Sequence, residues 1–220
     1  MPERLYFRRI LPIFGSVFSE QGFERIGMLI FARIAADLGT VGFAVHNICM
    51  NICDIYYCFA VGFGKASMVL AGQSCGRESV LDWQQYRRVG IRWTLILSTI
   101  SCVLTVIFRR EIFSLYSNSP EAIALSGTVM VLAALVSYPE AHALVAAGIL
   151  RGSGRTASVA AYSFVSVTIL RPIMTAVFFY VFEWGITGIW MALLFDQCIR
   201  AFCAEFLVHR LDYMRVPAAT

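Results

Sequence analysis

Long apolar runs alternate with short polar clusters along the 220 residues. Six runs are long enough to cross a hydrocarbon core as helices, some with tilt: about 10–36, 41–72, 89–108, 122–150, 157–182 and 186–208. Turn signals separate them at Asp37-Leu38-Gly39-Thr40, Ser117-Asn118-Ser119-Pro120 and Glu183-Trp184-Gly185, and the stretch 73–88 is too charged to enter lipid. Open strands cannot cross a bilayer because their backbone groups would go unpaired. The pattern therefore predicts an all-α polytopic membrane protein, with 1–220 forming one six-span unit. Pro120 suits the first turn of the fourth span, where a missing N–H costs nothing.

Composition sharpens this reading. The chain is 59% hydrophobic and 15% charged, against about 25% charged residues in a soluble domain, and its mean hydropathy is +0.71. The net charge is +4. The arginines flank apolar runs and form no basic stripe, so the expected partner is the lipid bilayer and not nucleic acid. With six spans, both termini share one side. That side holds Arg4, Arg8, Arg9, Arg77, Arg87, Arg88, Arg92, Arg151, Arg155, Arg210 and Arg215; the other holds Arg33, Arg109 and Arg110. Positive charge favours the cytoplasm, which predicts a cell-membrane protein with both ends inside.

Several charges lie too deep to be flanks. Glu20 follows Arg9 by eleven positions, and Glu140 precedes Arg151 by eleven. Each is about 16 Å from its cytoplasmic flank along a helix, near the middle of a hydrocarbon core of about 30 Å. Two carboxylates level with each other at that depth suit a cation site: oxygen ligands for Na⁺, or groups that carry a proton. The alternative is that each pairs with a buried arginine and only holds the bundle together. Pro139, just before Glu140, either breaks its helix and frees carbonyl oxygens or merely kinks it.

Glu24 shares a helix face with Glu20, and Arg25 or Arg171 is available to offset one of them. Arg171 is itself too deep to snorkel and needs a carboxylate partner. Asp196 and Arg200, four apart, are expected to pair with each other. Asn47, Asn51 and Asp54 make a polar face on the second span. The many aromatics either pack and form interfacial belts or line a cavity for lipophilic cations. The seven cysteines read as small buried hydrophobes. Enzyme chemistry finds no motif: there is no nucleophile elbow, no HExxH and no P-loop, since no strand precedes Gly152-Ser153-Gly154.

Further motifs run through the chain: Pro12 with Glu20, Gly39-Thr40 leading to His46, Gly72-Gln73 with Gly76, Pro120-Glu121, the stretch 146–156 (AAGILRGSGRT), Arg171-Pro172, and Gly188 with Trp190. In this order and spacing the chain resembles the C-terminal half of a multidrug and toxic compound extrusion (MATE) transporter. The resemblance implies one six-helix lobe of a twelve-helix antiporter that exports organic, often cationic or planar, compounds in exchange for Na⁺ or H⁺. It implies no cofactor beyond that ion, and as partners the small-molecule substrates and an N-terminal lobe or a second half-size chain. It places the coupling ion at Glu20 and Glu140 and matches Asn51 to the asparagine of the second helix. Asn51, Asp54, Glu24 and Arg171 are the candidate lining or supporting residues. The chain departs from the family in having Arg155 and Ser119 where Asp is frequent, and Glu140 where the fourth-helix acid is commonly Asp. Two rival functions remain: a flippase for lipid-linked precursors or polysaccharides, which would use Arg25 and Arg171 to hold phosphate, and a non-transporting membrane subunit whose acids are all neutralised by arginines.

Overall fold

The computed structural model describes residues 3–117 and 119–213, without the side chains of 3–10, 12, 13, 16, 20, 212 and 213. Six long helices occupy the positions of the six apolar runs: α1 (Glu3–Ala36), α2 (Gly39–Gly76), α3 (Val80–Ile107), α5 (Pro120–Gly152), α6 (Thr156–Val181) and α7 (Gly185–Tyr213), with the short α4 (Arg109–Ser114) after α3. Among the described residues α2, α3, α5 and α6 are long and apolar enough to cross a membrane. Apolar side chains such as Leu29 and Phe202 stay about 70% exposed, as a lipid-facing surface requires.

Local chemistry sets the helix ends. Ser79 caps α3 by accepting a hydrogen bond from the Asp82 backbone N–H at 3.3 Å, with Asp82 itself in the positive first turn. Pro120 opens α5. Gly154, at φ +78°, turns the chain from α5 into α6 while the Arg155 N–H donates to the Leu150 carbonyl. The turn from α1 to α2 is tied to the end of α6: Arg33 donates to Asp37 at 2.6 Å, and so does the Tyr180 hydroxyl at 2.5 Å. The Tyr180 hydroxyl first and the Arg33 guanidinium second hold the Asp37 carboxyl below its ordinary value of 3.8. A depressed pKa contributes stability above the unfolded-state value and loses it as pH falls through the folded-state one. Asp37→Asn is therefore expected to lower the thermal midpoint slightly at neutral pH. The gap to wild type should close as pH drops below 3.8; melting curves at both pH values would show it, and a gap that persists in acid would rule out the carboxylate as its source.

Glycines bring α2 and α5 into backbone contact, the most extensive helix pairing in the bundle. A Cβ at Gly148 would stand 2.9 Å from the Gly64 carbonyl carbon and closer still to its oxygen, and one at Gly64 would stand 2.9 Å from the Leu144 carbonyl oxygen. Gly152 and Gly72 repeat the contact two turns further along α2.

Two helices depart from the simplest reading of their prolines. α5 runs through Pro139 as an unbroken helix, so the break that the sequence allowed does not form: a proline removes one N–H, and the packed helices on both sides hold the remaining turns. α6, by contrast, contains two wide π-helical stretches, Phe164–Leu170 and Val177–Val181, on either side of Arg171-Pro172. The Arg171 N–H reaches back five residues to the Ser166 carbonyl. Pro172 offers no N–H to the carbonyl four residues earlier, and the wider turn accommodates its ring.

Buried apolar residues form two clusters along the bundle. One includes Phe31, Val45, Ile52, Met130 and Trp190; the other includes Trp83, Val145, Ile149, Val159 and Val208. On each of α2, α5 and α7 an interval separates the two: 53–71, 136–145 and 193–204. Asp54, Glu140, Asp196 and Arg200 fall in these intervals.

Candidate functional site: a polar cavity between two apolar cores

A cavity of about 320 Å³ lies among α1, α2, α5, α6 and α7. Each helix turns a polar face to it. α1 supplies Gln21, Glu24 and Arg25; α2 supplies Asp54 and Tyr57; α5 supplies Glu140; α6 supplies Arg171; α7 supplies Gln197 and Arg200. The structure thus brings together six of the charged residues singled out in the sequence, Glu24, Arg25, Asp54, Glu140, Arg171 and Arg200. Asn51 stands exposed on α2 and does not line this cavity. The side chain of Glu20 lies outside the described residues.

Two of the three lining arginines, Arg171 and Arg200, are engaged in ion pairs. Arg171 and Asp196 form an ion pair that is almost fully buried, at 4% and 1% side-chain exposure. Arg171 Nε donates to Asp196 Oδ2 at 2.9 Å, Nη2 donates to the same oxygen, and the Ser166 hydroxyl donates to Oδ1. Arg171 Nη1 also meets the Met28 sulfur at 3.1 Å. Arg200 donates to Glu24 at 3.1 Å and ties α7 to α1. The pairing of Asp196 with Arg200 expected from their spacing does not occur. Asp196 points into the α6 interface, where two guanidinium N–H groups and a hydroxyl converge on it, while Arg200 is held by Glu24 of α1. The carboxylate partner that Arg171 required is therefore Asp196, contributed by α7.

Glu140 stands apart. Its carboxylate accepts from Gln197 Nε2 at 3.0 Å, and among the described residues no arginine bonds to it. Gln197 was not singled out in the sequence, yet Leu193, Gln197 and Arg200 follow each other at spacings of four and three. That places them on one face of α7, and all three line the cavity. The same periodicity on α2 brings Met50, Cys53, Asp54 and Tyr57 to it.

A bundle of long apolar helices around a charged cavity is the architecture of a polytopic membrane protein. Residues 12–177 match the MatE family model, and the chain belongs to that family. A MATE transporter in the bent conformation superposes with a TM-score of 0.83 at 13% identity, covering 92% of this chain and 45% of that one. The Vibrio cholerae MATE transporter VcmN in its bent form gives 0.81 at 17% identity, with 94% and 46% covered. A MOP superfamily transporter from Pyrococcus furiosus gives 0.79 at 17% identity, with 91% and 44% covered. At these identities the likeness shows the fold. The chain spans a little under half the length of the structures it matches.

Proposed function

We propose that this chain is the C-terminal six-helix lobe of a cation-coupled secondary transporter that exports organic, cationic or amphipathic compounds by alternating access. Its six spans would run with both termini in the cytoplasm. Glu140 is the acid that takes up the coupling ion, Na⁺ or H⁺, with Glu20 as its partner from α1. The observation that carries this reading is the position of Glu140. It is a carboxylate about 18 Å along the helix from the end of α5, facing a cavity and hydrogen-bonded to an amide. A carboxylate kept only to hold a bundle together would be expected to sit on an arginine, as Asp196 and Glu24 do. An acid at this depth with no arginine bonded to it among the described residues is costly and is ready to gain a cation.

Ion uptake moves a two-state equilibrium only by the difference in affinity between the states. Removing the charge at Glu140 removes that difference. Glu140→Gln in the complete transporter, reconstituted in vesicles, is expected to lower ion-driven efflux by about tenfold or more. Retained gradient-dependent efflux in the variant would refute the assignment.

The flippase alternative needs free cationic groups for phosphate. Of the two arginines that reading would use, Arg25 lines the cavity and Arg171 is already held by Asp196; the engagement of Arg171 favours the cation reading.

A further inference from the structure

We infer that Gln197 is an oxygen ligand of the coupling cation and that its side-chain amide turns over when the cation loads Glu140. The inference rests on the reading of Glu140 as the coupling acid.

An ionised carboxylate can only accept hydrogen bonds. Beside it, Gln197 must present its NH₂, and it does so at 3.0 Å. The amide oxygen is then turned elsewhere. Gln197 is 4% exposed, and its Oε1 is buried with no hydrogen-bond partner among the described residues. Buried acceptors are nearly always paired, so this pose is satisfied on one side only. The cost is the mark of a group that has a second pose.

That pose follows from the chemistry of Glu140. Once protonated, the carboxyl becomes an O–H donor and needs an acceptor. Once Na⁺ binds, the ion needs further oxygens. In both cases a positive charge has reached Glu140, and the group required beside it is an oxygen. The amide nitrogen and oxygen of glutamine are nearly equal in size, so a half-turn of the amide exchanges them without moving α7.

The other charged and titratable groups around the cavity do not take over this role. Glu24 is bonded to Arg200, and Arg171 to Asp196. Arg25 carries no acceptor, the Cys53 thiol faces the Ala133 carbonyl at 3.8 Å, and Tyr57 and Asp54 line the cavity with oxygens of their own but, among the described residues, form no hydrogen bond with Glu140. Gln197 is the described group that already touches Glu140 and also holds a spare oxygen.

Infrared difference spectra of the reconstituted protein test this, recorded on acidification and on adding NaCl in place of choline chloride. Wild type should give a response that Glu140→Gln abolishes; if that variant responds normally, the reading of Glu140 and this inference both fall. In Gln197→Leu the Glu140 carboxyl band should persist but move to higher wavenumber, and the glutamine amide signal should leave the difference spectrum. If Na⁺ is the ion, its half-saturating concentration should rise about tenfold or more. Gln197→Glu keeps an oxygen of the same reach and should hold Na⁺ near wild-type concentrations, while raising the pH midpoint of the carboxyl band. Gln197→Leu spectra and ion midpoints like wild type, with Glu140→Gln silent, would overturn the role of Gln197 and leave Glu140 standing. Equal loss in the Leu and Glu variants would also overturn it, by reducing Gln197 to a donor.

Discussion

Arg171→Leu is expected to destabilise the folded chain by about 3–5 kcal/mol, because it strands the Asp196 carboxylate without its counter-charge. Asp196 is 1% exposed and, among the described residues, keeps the Ser166 hydroxyl alone as a donor once the guanidinium is gone. The double variant Arg171→Leu/Asp196→Leu should recover most of the loss. Removing both charges together removes the desolvation cost with the attraction, and a buried pair is often no more stable than apolar residues of similar volume. Denaturation midpoints in detergent for the two single variants and the double variant form a cycle that reads the coupling directly. A double variant as unstable as Arg171→Leu would mean that α6 and α7 are held by shape alone.

The second large effect is steric. Gly148→Ala is expected to destabilise by about 3 kcal/mol, the upper end for overpacking a core. The added Cβ meets the Gly64 backbone, and backbone inside a helix pair cannot step aside as a side chain can. Gly127→Ala supplies the control on the same helix. A Cβ there meets nothing within 4 Å, so the change should be neutral or gain up to about 1 kcal/mol of helix propensity. Equal thermal midpoints for the two variants would show that α2 and α5 do not approach through their backbones. Because Gly148 lies two turns beyond Glu140 on α5, a shift there should also disturb the cavity.

Much of this architecture is legible in the sequence because lipid imposes a simple rule. A chain that must satisfy every backbone group internally shows its helices as uninterrupted apolar runs, and any charge inside one stands out. Glu24, Asp54, Glu140 and Arg171 were visible for that reason, and they share one cavity. The failures come from inferences that used only neighbours in sequence. A spacing of four suggested that Asp196 and Arg200 pair, but spacing does not register a guanidinium and a hydroxyl arriving from another helix. Pro139 and Pro172 look alike in the sequence. One is absorbed in a regular helix and the other sits between two wide turns, and the difference lies in what each packs against. Gln197 escaped notice because an uncharged amide in an apolar run carries no penalty large enough to draw the eye. Its meaning comes only from the carboxylate on α5.

The two apolar clusters with the cavity between them also have an electrical meaning. Each cluster is packed from apolar side chains and polarises little, and the cavity is lined by charged and amide groups that polarise more easily. Such a stack behaves as two insulators in series joined at a node. A membrane voltage falls mainly across the clusters, and a charge resting on Glu140 sits at the node. The work of moving one elementary charge through the whole membrane, about 2.3 kcal/mol per 100 mV, is then divided between the two sides. Under the proposed coupling role of Glu140, ion arrival from one face and departure to the other would each carry a share of it.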